Sequence, residues 1–155
     1  MINLKRLGHV FLVVRDIERS KQFYTGILGF QLLEEDPAHG GVFLAVGDFS
    51  HTFDLVQSAD PTAGGPPQGR PATGLGVQHV AFAVDSHDDL KDAYFFLKDH
   101  KVPVLAAIDH GNQESVYFHD PDENVLEIYW ERPNAKEMFL AGRGDLDDQP
   151  VVFER

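Results

Sequence analysis

The chain has 155 residues, contains no cysteine and carries a formal net charge of −12 at pH 7. Without thiolates it can form no disulfide, and any bound metal must be held by His, Asp or Glu. The negative charge disfavours nucleic acid and anionic membranes as partners, and no apolar run is long enough to span a bilayer. We therefore expect a soluble, cytoplasmic protein.

Two apolar segments of similar design, 7–14 and 76–84, each contain one central histidine, His9 and His79. Both segments are short and rich in Val and Phe. Each is therefore predicted to be a β-strand that is buried on both faces.

A helix and three strands are predicted after each of these segments. Asp16 and Ser86 are the expected N-caps of the two helices, because their side chains can accept a hydrogen bond from the first helical turn. The strands predicted from short apolar runs are 30–33, 41–46 and 51–56 in the first half, and 102–106, 114–119 and 125–130 in the second. Each half is thus predicted to have the order β-α-β-β-β.

These elements predict one domain over residues 1–131, followed by a C-terminal extension over 132–155. Module one covers 5–58 and module two covers 75–131. The linker between them, 59–74, is dense in Pro and Gly, as exposed connections commonly are. The extension contains Pro133, Gly142 and Gly144, which argue against a long helix there.

Three ionisable side chains lie within predicted strands among apolar neighbours: His9, His79 and Glu127. Each histidine alone could be a hydrogen-bonded core residue. A buried carboxylate without a partner costs several kcal/mol, however, and one divalent cation would satisfy all three groups. Two imidazoles and one carboxylate are the ligand set typical of non-haem Fe(II), and Mn(II) also fits it.

Paired β-α-β-β-β modules, with a His in each opening strand and a Glu in the final strand, resemble the vicinal oxygen chelate superfamily. This superfamily includes glyoxalase I, methylmalonyl-CoA epimerase, fosfomycin- and bleomycin-resistance proteins and type I extradiol dioxygenases. The resemblance covers about residues 5–131. It implies an α+β fold whose modules pair into a curled mixed sheet around a metal cleft, with His9, His79 and Glu127 as ligands.

Residues 110–127 resemble the signature of the extradiol dioxygenases. The matching elements are His110, Tyr117, the pair Asp120-Pro121 and Glu127. One position departs from the signature, because Glu123 stands where Gly or Pro is expected. This departure predicts a different turn before the last strand.

A second feature, the pair His51-Thr52, resembles the His-Thr pair of the same enzymes. The pair opens the last strand of module one. The resemblance implies that His51 is an acid–base catalyst and that His110 and Tyr117 hydrogen-bond the substrate oxygens. It therefore favours an Fe(II)-dependent extradiol-type dioxygenase that cleaves a catechol-like ring with O₂. Mn(II), Zn(II) and Ni(II) are alternative metals, and a homodimer is the expected assembly.

Two alternatives remain open. In glyoxalase I and the epimerase, a fourth ligand comes from a carboxylate in the strand that here contains Asp54. A bound Asp54 would leave fewer open metal positions, which suits a lyase or isomerase. The other alternative is a non-catalytic binder of small molecules of the drug-resistance type, for which a negative surface suits cationic ligands.

Overall fold

The computed structural model describes residues 2–36, 40–60, 62, 64, 76–142 and 148–155. The chain divides into two compact units, Met1–Gly64 and Gly65–Arg155. The predicted linker over 59–74 lies mostly outside the described residues.

In its described residues, the first unit consists of one helix and one four-stranded sheet. Its elements are β1 (Val10–Val14), α1 (Ile17–Gly26), β2 (Gln31–Asp36), β3 (Gly41–Ala45) and β4 (Phe53–Gln57). The strand order is β1-β4-β3-β2. The pair β1 and β4 is parallel, and the other two pairs are antiparallel.

The second unit repeats this plan and adds two short elements. It contains β5 (Val80–Ala83), α2 (His87–Asp99), β6 (Val104–Asp109), β7 (Gln113–His119), β8 (Val125–Glu131), α3 (Ala135–Ala141) and β9 (Gln149–Pro150). Its sheet has the order β5-β8-β7-β6-β9, with β5 parallel to β8. The predicted α+β fold with two β-α-β-β-β units is confirmed.

Both predicted helix caps are present. The Asp16 carboxylate accepts a hydrogen bond from the Arg19 backbone N–H at 3.0 Å, and the Ser86 hydroxyl accepts one from the Asp89 N–H at 3.1 Å. Each bond satisfies a donor that the first helical turn leaves without a partner. The caps therefore fix where each helix begins after its opening strand.

The prediction that both opening strands are buried on two faces is wrong. Phe11 and Val13 are 56% and 60% exposed. In the first unit, α1 covers only the opposite face of the sheet, where its Tyr24 packs on Phe53 with ring centroids 4.8 Å apart. Alternate residues of both β1 and β5 are exposed, so apolar composition alone overstated their burial, as it does for strands of a sheet with one open face.

The two histidines also lie outside the strands rather than in their middle. His9 directly precedes β1, and His79 directly precedes β5. Glu127, in contrast, lies inside β8 and is 2% exposed. The mid-strand expectation is thus correct for the carboxylate and wrong for both imidazoles.

Among the described residues, no helix combines the length and apolar composition that crossing a membrane requires.

Candidate metal and catalytic site

The first unit gathers two imidazoles around a buried carboxylate. His9 Nε2 and His51 Nε2 lie 3.7 Å and 3.9 Å from Asp54 Oδ2. Asp54 is 4% exposed, and its Oδ1 has no hydrogen-bond partner. A carboxylate oxygen left in this state is costly, so the cluster has the chemistry of a site that a cation would satisfy.

Strand register explains how these residues meet. Asp54 of β4 lies opposite Phe11 of β1 and Phe43 of β3. Because alternate residues share a face, Asp54 is on the same face as Phe11, two residues after His9. His51 lies three residues before Asp54, and its ring centroid is 4.9 Å from that of His9.

The neighbouring Thr52 fixes the backbone on which His51 is carried. Its N–H donates to the Leu44 carbonyl at 2.8 Å, and its own carbonyl accepts from Val10 N–H at 3.0 Å. Its hydroxyl accepts from the Val46 N–H at 2.9 Å. These bonds connect the segment before β4 to β1 and β3. The threonine of the His-Thr pair therefore holds the backbone of this segment in place.

The second unit brings His79 and Glu127 together. His79 Nε2 is 3.0 Å from Glu127 Oε2, and the Gln113 side-chain amide donates to Glu127 Oε1 at 3.1 Å. Two ligand atoms at right angles on a metal, each about 2.1 Å away, are separated by about 3.0 Å. The pair therefore has the spacing of adjacent ligands of one divalent cation.

Tyr117 and His110 lie beside this pair. Tyr117 is opposite Glu127 in the β7–β8 register, and its ring meets that of His79 edge-on with centroids 5.6 Å apart. His110 Nε2 is 3.1 Å from the Tyr117 hydroxyl oxygen. His110 is 7% exposed and Tyr117 is 9% exposed, so their hydrogen bond is largely shielded from water.

Tyr129 is on the same face of β8, two residues after Glu127. Burial raises the pKa of Tyr129 above its ordinary value, and the charges of Glu131 and Glu127 act in the same direction. The phenol therefore remains a neutral hydrogen-bonding group at physiological pH.

The structure places the predicted site residues in two groups. His9 and His51 lie together in the first unit, and His79, His110, Tyr117 and Glu127 lie together in the second. A metal site shared by His9, His79 and Glu127 stays a prediction.

Two residues of the second group were not identified from the sequence. Gln113 is on the same face as Tyr117, since both are in β7 at alternate positions. Strand alternation counted backward from Tyr117 could therefore have found it. Asp148, whose Oδ1 is 2.6 Å from His110 Nδ1, gives no such signal because it lies far along the chain.

Comparison with known proteins matches most of the chain to one family. The family model described as Glyoxalase/Bleomycin resistance protein/Dioxygenase superfamily matches residues 6–128. The chain is 33% identical over 123 residues to biphenyl-2,3-diol 1,2-dioxygenase 3 of Rhodococcus globerulus, covering 79% of this chain and 62% of that protein. It is 31% identical to catechol-2,3-dioxygenase of Bacillus subtilis, covering 83% of this chain and 42% of that one. The chain thus spans less than two thirds of either relative.

Other relatives are named for different activities. Metallothiol transferase FosB of Staphylococcus epidermidis is 27% identical, with 81% of this chain and 84% of that protein covered. A glyoxalase/dioxygenase structure from Nostoc punctiforme superposes with a TM-score of 0.69 at 26% identity, covering 84% of this chain and 93% of that one. The chain belongs to the glyoxalase/bleomycin resistance protein/dioxygenase superfamily, also called the vicinal oxygen chelate superfamily.

Proposed function

We propose that the chain is an Fe(II)-dependent extradiol-type dioxygenase that cleaves a catechol-like ring with O₂. The observation that carries this proposal is the cluster in the second unit. There Tyr117 and His110, which distinguish the extradiol signature, lie directly beside the candidate ligands His79 and Glu127. Two relatives are named as a biphenyl-2,3-diol dioxygenase and a catechol dioxygenase, which supports the same substrate class.

We propose His9, His79 and Glu127 as the metal ligands, with Mn(II), Zn(II) and Ni(II) as alternatives to Fe(II). When bound, such a metal lowers the pKa of a hydroxyl that coordinates it and leaves open positions for the substrate and O₂. Gln113 holds one oxygen of Glu127. That hydrogen bond orients the other oxygen toward His79 Nε2, which prepares the pair for a shared cation.

His51 is the proposed acid–base catalyst. Its side chain is 44% exposed, so a substrate hydroxyl can reach the imidazole. Histidine exchanges protons near neutral pH, and His51 would accept the proton of that hydroxyl. His110 and Tyr117 would hydrogen-bond the substrate oxygens. The reaction would break the carbon–carbon bond next to the two hydroxyls, with both atoms of O₂ entering the product.

The proposed partners are a small-molecule substrate, O₂ and a second copy of the chain. The proposed location is the cytoplasm. The net charge of −12 disfavours nucleic acid and anionic membranes. Phe11 and Val13, close to His9, have exposed apolar side chains. They support the homodimer because such surfaces commonly mark contacts with another protein.

Oxygen uptake tests the proposed reaction. The chain is loaded anaerobically with Fe(II), then mixed with O₂ and a panel of catechols and hydroxylated aromatic acids. We expect uptake with adjacent diols and none with the matched 1,3-diols, which cannot offer two neighbouring oxygens. His51→Ala should lower turnover by about 100-fold or more while iron stays bound. His100→Ala, the same change on an exposed helix end, serves as the control.

Absence of uptake with every adjacent diol would overturn the dioxygenase. Unchanged turnover in His51→Ala would remove that residue from its assigned role.

A second candidate function has one observation in its favour. The buried Asp54 carboxylate lies near two imidazoles and keeps Oδ1 without a hydrogen bond. A metal bound by Asp54 in addition to the three proposed ligands would have fewer open positions, as suits a lyase or isomerase of the glyoxalase kind.

A further inference from the structure

A continuous chain of three polar side chains crosses the second unit: Asp148, His110 and Tyr117. Asp148 Oδ1 is 2.6 Å from His110 Nδ1, and His110 Nε2 is 3.1 Å from the Tyr117 oxygen. The histidine is 7% exposed. Both ring nitrogens are therefore engaged within the protein.

The position of Asp148 follows from strand pairing. In the antiparallel pair of β6 and β9, Asp109 lies opposite Gln149 and Ile108 lies opposite Pro150. The Val151 N–H extends the pairing by donating to the Ala107 carbonyl at 2.9 Å. The next pair of the same register, beyond Asp109 and Gln149, places Asp148 beside His110. The C-terminal extension thus delivers a carboxylate to His110 from a hydrogen-bonded strand.

The carboxylate determines which ring nitrogen of a neutral His110 carries the proton. An ionised carboxylate only accepts hydrogen bonds, so Nδ1 must donate to Asp148. Nε2 of the neutral ring then has a lone pair and accepts the Tyr117 O–H. This directs the phenolic hydrogen toward His110 and presents the Tyr117 oxygen as a hydrogen-bond acceptor.

We propose that Asp148 is a positioning residue of the active site, acting through His110 on Tyr117. This inference rests on the proposed function and refines it. Because both nitrogens of His110 are engaged by Asp148 and Tyr117, Tyr117 contacts the substrate oxygens directly and accepts a hydrogen bond from a substrate hydroxyl, whereas His110 acts on the substrate through Tyr117. It gives the extension beyond residue 131 a role in the reaction, since without the Asp148 carboxylate a neutral His110 could carry its proton on either ring nitrogen.

The first test reads the tautomer directly and needs no activity. Imidazole ¹⁵N chemical shifts of the histidine-labelled full chain separate protonated from unprotonated ring nitrogens, and the His110 signals are assigned by their loss in His110→Gln. We expect Nδ1–H in the wild-type chain. Asp148→Asn should give a mixture of Nδ1–H and Nε2–H, and Asp148→Glu should restore Nδ1–H. Glu154→Gln removes one charge from the same segment and should leave the signals unchanged.

The second test is steady-state turnover of a catechol that the wild-type chain cleaves. Asp148→Asn should lower kcat by about 10- to 100-fold, with KM changed less than about threefold, as for other groups that orient a catalytic residue. Asp148→Glu should recover most of kcat.

The outcomes of the two tests separate this inference from the proposed function. Failure of the wild-type chain to cleave any catechol defeats the dioxygenase, while the ¹⁵N spectra still decide whether Asp148 sets the tautomer. Wild-type spectra with Nε2–H, or Asp148→Asn with unchanged spectra and unchanged kcat, would overturn the positioning role.

Discussion

At the scale of single residues, Asp54 has the most demanding environment in the first unit. It is 4% exposed, faces two imidazoles at 3.7 Å and 3.9 Å, and lacks a hydrogen bond at Oδ1. These separations are too long for direct hydrogen bonds. A substitution at Asp54 can therefore decide between two roles, a fourth metal ligand or a negative charge beside the two imidazoles.

Asp54→Ala separates these roles. For the dioxygenase, we expect the Fe(II) affinity to stay within about tenfold of wild type, because three ligands remain. Turnover should fall, since His51 loses its neighbouring charge. The measurement is an anaerobic Fe(II) titration of both proteins, with Asp54→Asn as the variant that keeps the side-chain volume. An affinity loss above about 100-fold would favour the lyase or isomerase instead.

Site residues were predictable from the sequence where they belonged to a recognisable motif. His110, Tyr117 and Glu127 followed from one signature, and the structure brings them into a single cluster with His79. Asp148 was not predictable, because its contact with His110 depends on a two-residue strand in the extension. No periodicity marks so short an element.

At the scale of elements, the turn between β7 and β8 sets the register of the site. The Asp120 carboxylate accepts hydrogen bonds from the N–H groups of Asp122 and Asn124, at 2.9 Å and 2.8 Å. This turn places Tyr117 opposite Glu127. A slip by one residue would move the Glu127 side chain to the other face, so the Asp-Pro motif also serves the site.

Glu123 lies within the same turn. It has φ of 68°, in the left-handed region that glycine adopts most readily. The sequence predicted a different turn here because Gly or Pro is missing. The structure instead shows a glutamate in a backbone conformation typical of glycine, at a cost of about 1–2 kcal/mol.

Replacement of Glu123 by glycine should relieve this cost. We expect Glu123→Gly to be about 1 kcal/mol more stable than Glu123→Ala, since both lose the side chain and only alanine keeps the left-handed strain. Urea unfolding, analysed at equal m-values, measures the difference. Equal stability of the two variants would show that the turn relaxes and that no strain is stored at this position.

The order of the elements could be predicted from apolar periodicity, and the boundaries and burial only in part. Both helices begin at their predicted caps. The opening strands are shorter than their apolar runs, and Phe11 and Val13 are exposed. Sequence composition does not distinguish an apolar residue that packs within its own sheet from one that remains available to a partner surface.

At the scale of the whole molecule, the proposed metal would be held by ligands from both halves of the duplicated chain. The first unit offers His9 beside His51 and Asp54, and the second offers His79 beside Glu127. Each unit alone supplies too few of the proposed ligands. The shared ligand set remains a prediction. So does the division into modules 5–58 and 75–131 with a linker over 59–74.

Anaerobic Fe(II) titration of four single variants tests the proposed ligand set, with His100→Ala as a control. We expect His9→Ala, His79→Ala and Glu127→Ala each to weaken binding by more than about 100-fold, because each removes one of three ligands. His51→Ala should bind Fe(II) within about threefold of wild type. Loss of binding in His51→Ala together with wild-type affinity in Glu127→Ala would overturn the proposed ligand set, because the metal would then belong to the His9, His51 and Asp54 cluster alone.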